Sequence, residues 1–250
     1  MVCSAQAADS PPSADTIIER MIDRAQQSLG SQTQTAYSYT KVTVYEELDG
    51  RGKVKGRKEK TYQVMFKDGA STVKLLQVNG HAPEAADLKQ QAENEAKARQ
   101  LLAKSKSDPV NPHANLFTPE LAARFQYELA GTTTIDGRSA WKIAFRPASP
   151  ELPEKRIVDR LLNRISGSVW IDTEDYEIAH AEIYLGSEVN LLGGVIASLK
   201  RLEFSLNRSR IADGVWCNTS STGEFEGRKL IDAMRIKTRS RSTDFHLLDS

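Results

Sequence analysis

The spacing of apolar positions changes several times along the chain, and each change predicts a change of element. Over 13–29, Ile17, Met21, Ile22, Ala25 and Leu29 fall on one helical face, with Glu19, Arg20 and Asp23 largely outside it. Ser13 or Asp15 is placed to cap this helix, and Gly30 to stop it. From residue 36 the period drops to two. The runs 36–48, 57–66 and 71–78 are rich in Tyr, Val and Thr and end at Asp49-Gly50, Asp68-Gly69 and Asn79-Gly80. Asn or Asp followed by Gly tolerates the positive φ that matches the twist of two antiparallel strands, so these runs read as hairpin strands. Residues 84–105 return to helical spacing with a thin stripe of Leu88, Ala92, Ala96, Leu101 and Leu102, and Asp108-Pro109 and Asn111-Pro112 break it. A solvated helix packed on one edge fits that stripe.

The second half is again mostly of period two. Strands are predicted over 125–135 and 139–147 about Asp136-Gly137, with Phe125, Tyr127 and Leu129 on one face and Trp141, Ile143 and Phe145 doing the same on the partner. A short helical stretch, 154–164, leads into a strand, a turn at Thr173–Asp175, and a strand. Residues 188–199 interrupt the pattern, and strands follow over 199–211, 215–225 and about 231–245. About ten strands joined almost entirely as hairpins describe an antiparallel meander, not a parallel βαβ sheet. A meander this large curls, and helices inside or across its mouth leave a cavity. With no repeat and no low-complexity tract, 13–250 reads as one domain and 1–12 as a disordered start.

Composition narrows the function classes more than it selects one. The 250 residues carry a formal charge of +1, without the basic excess of a dedicated nucleic-acid binder. A hydrophobic share of 39% with near-zero charge argues against a disordered chain. No apolar run approaches the ~20 residues of a transmembrane helix. Cys3 and Cys217 cannot make a disulfide framework. His81, His113, His180 and His246 lack metal-site spacing, GxSxG is missing, and Gly193-Gly194 is no phosphate loop. Glu46-Glu47 and Glu174-Asp175 read as strand-end or turn residues. The expectation is therefore no catalytic residue, no metal and no cofactor.

Two candidate sites remain. Leu191, Leu192, Val195 and Ile196, around Gly193-Gly194, read either as an internal turn packed on the core or as a lid over an apolar cavity. Trp141 and Trp170 are strand residues that either fill the core or line that cavity. On the last strand Arg235, Lys237, Arg239 and Arg241 share one face, opposite Met234, Ile236, Thr238 and Ser240. Four cations cannot be buried unpaired, so this face is either a charged guard against edge pairing or a dock for an anionic partner or lipid headgroup. The basic stretch 51–60 reads as a solvated hairpin tip. At the amino terminus, Ala5-Gln6-Ala7 has the small-x-small form of a signal-peptidase site, without the basic and apolar regions that precede one. It is either chance or the remnant of an export signal.

The layout of front helix, three hairpin strands, second helix and long antiparallel run resembles the LolA/LolB-like superfamily. ISGSVWID (165–172), followed by TEDYEIAHAEIYL (173–185), is similar to a W-hydrophobic-D motif, acidic turn and strand common in lipoprotein-sorting-like proteins of that group. Residues 39–64 resemble its uncharacterised bacterial relatives. The resemblance implies an incomplete antiparallel β-barrel with helices covering its mouth, and an apolar cavity that holds acyl chains. It also implies export to the periplasm. The expected function is a non-enzymatic binding protein for a lipid or lipoprotein acyl chain, in transport or sensing. The alternative is an envelope-stress or protein-interaction module that uses the same fold with an envelope protein as partner.

Overall fold

The computed structural model describes residues 11–31, 36–67, 70–105, 118–149, 151–154, 157–191, 197–229 and 232–248. The described residues form four helices and eleven strands: α1 (Ala14–Ser31), β1 (Tyr37–Leu48), β2 (Val54–Lys67), β3 (Ala70–Val78), α2 (Ala85–Ser105), α3 (Pro119–Ala122), β4 (Phe125–Ile135), β5 (Arg138–Pro147), α4 (Ile157–Leu162), β6 (Ile165–Asp172), β7 (Ile178–Leu185), β8 (Val189–Leu191), β9 (Ala197–Ala212), β10 (Val215–Lys229) and β11 (Asp232–Leu247). All strands belong to one antiparallel sheet, ordered β3-β2-β1-β11-β10-β9-β7-β6-β5-β4, with β8 beside β9. The sheet does not close, and β3 and β4 are its edges. This is the open, mainly β architecture that the hairpin pattern predicts.

Among the described residues, two pairings join strands that are not consecutive, β7 with β9 and β1 with β11, and the second is the longest in range. β1 lies against β11 over ten residue pairs, from Tyr37↔Leu247 to Glu47↔Ile236, which joins the two ends of the chain at mid-sheet. β3 and β4, consecutive along the chain, consequently stand at opposite edges, and the segment containing α2 and α3 links them.

Local chemistry explains most turns. Asp136 and Gly137 have φ of 50° and 78°, as do Asn79 and Gly80 at 51° and 80°, so each pair supplies two left-handed residues for a tight reversal. The turn at 49–53 is shorter than the predicted gap between strands ending at 48 and starting at 57. The Asp49 carboxylate accepts from the amides of Arg51 and Lys53 at 2.9 Å each, and β2 begins at Val54. Ser13 is the cap of α1: its Oγ accepts from the Thr16 amide at 3.2 Å. The helix continues past Gly30 to Ser31.

The buried core lies between α1 and the β4–β9 part of one sheet face. Ile17, Ile18, Met21 and Ile22 pack with Trp141, Ile143, Ile171, Ile178 and Ala181. Strand registers trace that face across the whole sheet. Leu129, Ile143, Val169, Ala181 and Leu206 stand in line from β4 to β9, and the same row continues through Ser221, Ser240, Thr43 and Lys60. The stripe of α2 is not packed as expected: Leu88, Ala92 and Ala96 are exposed. An ion pair from Asp87 to Lys58 of β2 at 2.7 Å tethers that helix.

Candidate functional site

Beyond the cover of α1, the same sheet face continues over β10, β11, β1, β2 and β3. Its side chains there are mixed: half-buried aromatic rings, the buried Val64 and Leu75, and polar residues such as Ser240, Thr43 and Lys60. Phe66, Tyr37, Tyr39 and Phe245 form a chain of stacked rings, with centroid separations of 5.1, 6.3 and 5.1 Å. Tyr62, Val64 and Leu75 lie beside them on β2 and β3. Burial raises the phenols of Tyr37 and Tyr39, with the nearby Cys217 adding to both, and pushes Tyr62 up to about 12. Burial also pushes the Cys217 thiol up, which the Tyr37 hydroxyl partly offsets. Val73, next to Val64, retains 38% of its surface, and at the other end of this open half Tyr45 and Met234 retain 44% and 41%. A cluster of rings that keeps part of its surface exposed in this way is a candidate binding surface.

The residues singled out in the sequence do not converge. Trp141 pairs in register with Ile171, on the α1 face, and its ring packs 5.4 Å from Tyr176. Trp170 pairs with Lys142 and points to the opposite face, where the Lys142 Nζ sits 4.8 Å from its centroid and His180 4.6 Å away. The two tryptophans therefore do not share one wall, because an odd register offset places them on different sides of a pleated sheet. Leu191 ends β8, where it pairs with Ala197; Leu192, Val195 and Ile196 lie outside the described residues, as do Ala5-Gln6-Ala7, Cys3, His113 and Asp68-Gly69.

The four cations of β11 also face away from α1. Arg241, Ser220, Asn207, His180 and Trp170 form one row across the sheet. Three of the four are paired within the sheet. Arg235 reaches Glu224 at 2.6 Å, Lys237 reaches Glu224 at 3.2 Å and Arg239 reaches Glu46 at 2.9 Å. The Arg235 hydrogen bond, helped by Lys237, holds the Glu224 carboxyl below the usual carboxylate range. Arg241 has no ion pair among the described residues. This face is thus closer to charge balance than its sequence suggests.

The ISGSVWID segment has a structural job. Asp172, almost fully buried, accepts from Arg138 Nε and Nη2 at 2.7 and 2.8 Å and from the amides of Glu174 and Asp175 at 3.0 and 2.8 Å. Burial opposes its ionisation, and these four bonds outweigh burial, holding the carboxyl below its ordinary value. The adjoining turn is pinned from several strands. Asp175 accepts from Trp216 Nε1 at 2.8 Å and pairs with Arg210 at 3.1 Å; Glu177 pairs with Arg208 at 2.8 Å and with Arg24 of α1 at 3.5 Å. Arg20 of α1 donates to the Tyr176 hydroxyl at 2.6 Å. A cleft of about 480 Å³ opens here, lined by Arg20, Arg24 and Arg210 and by Asp23, Asp175 and Asp213. Its mixed charges suit the fastening of α1, not the cover of an acyl chain. Gly167 completes the motif: a Cβ there would stand 1.9 Å from the Glu182 carbonyl oxygen, so no side chain fits.

Among the described residues no group of His, Cys, Asp and Glu could hold a metal ion, and no helix is long and apolar enough to cross a membrane.

No protein-family profile matches the chain. No curated protein matches it either. Among solved structures it is similar to a LolA superfamily protein from Nitrosomonas europaea, at 12% identity over 96% of each chain with a TM-score of 0.37. It is also similar to the Mycobacterium tuberculosis lipoprotein LppX, at 10% identity over 91% of this chain and 95% of that one, TM-score 0.32. A third is the MucA/MucB complex of Pseudomonas aeruginosa, at 9% identity over 92% of this chain and 100% of that one, TM-score 0.27. Each of these is a similarity of structure at low sequence identity. At these TM-scores it assigns no function.

Proposed function

We propose that this chain is an exported, non-catalytic binding protein that holds the acyl chain of a lipid or lipoprotein in the bacterial periplasm, for transport or sensing. The observation that supports it is a second apolar cluster, the stacked rings of Phe66, Tyr37, Tyr39 and Phe245, on the sheet face that carries the α1 core and separated from that core by a polar row through Ser221, Ser240 and Thr43. An acyl chain laid on those rings leaves water at a gain of about 0.8 kcal/mol per CH₂ covered. Because the open half is only partly covered, a chain can enter and leave without unfolding the core.

The test is uptake of acyl ligands by the purified full chain, read by native mass spectrometry and by displacement of a fluorescent acyl probe. The expected result is one bound chain, lost on Tyr39→Ala and Phe66→Ala and retained on Trp170→Ala. A protein that takes up no acyl ligand overturns the reading.

A further inference from the structure

Lys41 stands where the strand alternation calls for an apolar residue. On β1, Tyr37, Tyr39, Lys41, Thr43 and Tyr45 alternate with the residues of the opposite face, and the register places Lys41 between Tyr62 of β2 and Ser242 of β11. It therefore lies on the α1 side of the sheet, in the open half. To one side are the rings of Tyr39, Tyr37 and Phe66. To the other are the hydroxyls of Thr43 and Ser240, bonded to each other at 3.0 Å.

The other described cations of this face for which partners are seen are satisfied. Lys58 holds Asp87 at 2.7 Å and Arg208 holds Glu177 at 2.8 Å. Lys41 is half-buried, and among the described residues it makes no hydrogen bond and no ion pair. Burial alone lowers its ammonium from the ordinary lysine value, and no nearby carboxylate opposes the shift. A half-buried lysine has lost part of its hydration, and an anion paired with it restores favourable interaction to the ammonium. The register position of Lys41 lies between these hydroxyls and the stacked rings, which is the polarity profile of an amphiphile with one anionic head.

We propose that Lys41 is the head-group anchor of this face: it pairs with the single negative charge of an acyl-chain amphiphile whose tail lies over Tyr39, Tyr37 and Phe66. This rests on the acyl-binding reading above and adds to it a ligand class, a chain with an anionic head. No covalent step is involved; the gain is one charge-assisted bond in a partly dry site, and exclusion of neutral chains.

The experiment measures binding of laurate, methyl laurate and dodecyl phosphate, three probes with the same tail, to the full chain and to Lys41→Met and Lys41→Arg. The wild type is expected to bind an anionic probe about tenfold or more tighter than methyl laurate, the size of one charged hydrogen bond. Lys41→Met is expected to erase that preference while keeping methyl laurate affinity, and Lys41→Arg to restore most of it. A larger gain for laurate assigns a carboxylate head, and for dodecyl phosphate a phosphate head. Equal binding of methyl laurate and both anions by the wild type overturns the anchor and leaves the acyl reading standing, a result that does not depend on any variant folding. Unchanged anion binding in a folded Lys41→Met protein overturns it as well. Failure of all three probes overturns the acyl reading itself.

Discussion

The half of the sheet face under α1 and the half beyond it share one alternation and one set of registers, yet they end in different states. Under α1, Ile17, Ile143 and Ile171 are fully buried. Beyond it, on the same face, Tyr45 keeps 44% of its surface and the stacked rings of Tyr37, Tyr39, Phe66 and Phe245 are only half-buried. The composition of the two halves follows the cover. Mostly aliphatic side chains, joined by Trp141, interdigitate in the sealed part. Aromatic and hydroxylated residues, which tolerate partial hydration at their polar tips, are prominent in the open part, beside the buried Val64 and Leu75. What separates the sealed half from the open half is the element laid over the strands, and α1 is held at the 172–177 turn by the Arg24–Glu177 ion pair and the Arg20–Tyr176 hydrogen bond.

That contrast predicts a graded set of effects. The largest belong to the sealed half. Ile143→Ala or Ile17→Ala is expected to cost about 2–5 kcal/mol in chemical denaturation, because each leaves a cavity among neighbours that cannot collapse. A loss below about 1 kcal/mol at both sites would erase the distinction between the halves. Asp172→Asn comes next, at about 2–3 kcal/mol. That is less than the ~3–5 of a wholly buried pair broken on one side, since Arg138 retains 25% of its surface.

The same residue gives the acid dependence its sign. The folded-state pKa of Asp172 is depressed, so its contribution is complete above the unfolded carboxyl value and disappears as pH falls through the lower folded value. Acid titration of stability should therefore be flatter in Asp172→Asn than in the wild type over that interval, and parallel curves would count against the clamp.

In the open half, Tyr39→Ala or Phe66→Ala is expected to cost less in stability than Ile143→Ala, about 1–2 kcal/mol, while reducing acyl-probe binding in the same samples. A stability loss as large as that of Ile143→Ala would mean that the open half is ordinary core. The smallest effect is on the opposite face. Arg239→Ala breaks an exposed pair with Glu46 and should change stability by under ~1 kcal/mol and acyl binding not at all.

Much of this was written in the chain. Period-two runs bounded by Asp-Gly and Asn-Gly located the strands, and the front helix was legible from Ile17, Met21 and Ile22. The candidate site was less so. Leu191, Leu192, Val195 and Ile196 drew attention by being apolar between strands, and Trp141 and Trp170 by being large, yet neither signal says which side of a sheet a residue faces. Lys41 did carry a signal, a cation in register with Tyr37, Tyr39 and Tyr45, visible only once that register is known to face α1. The Arg138–Asp172 clamp joins residues that share no local pattern.

The sequence by itself determined the local choices: where the chain extends, where it turns, and which residues alternate together. These follow from φ preferences and side-chain sterics within a few residues. Only the tertiary structure decided that β1 pairs with β11, that β3 and β4 end as opposite edges, and that α1 seals one half of a face and leaves the other open. Those outcomes depend on contacts between residues some two hundred positions apart, such as Thr43 with Ser240. Period-two alternation is the same for either face and either neighbour, and the free energy that selects between them exists only when both strands and the helix are in place.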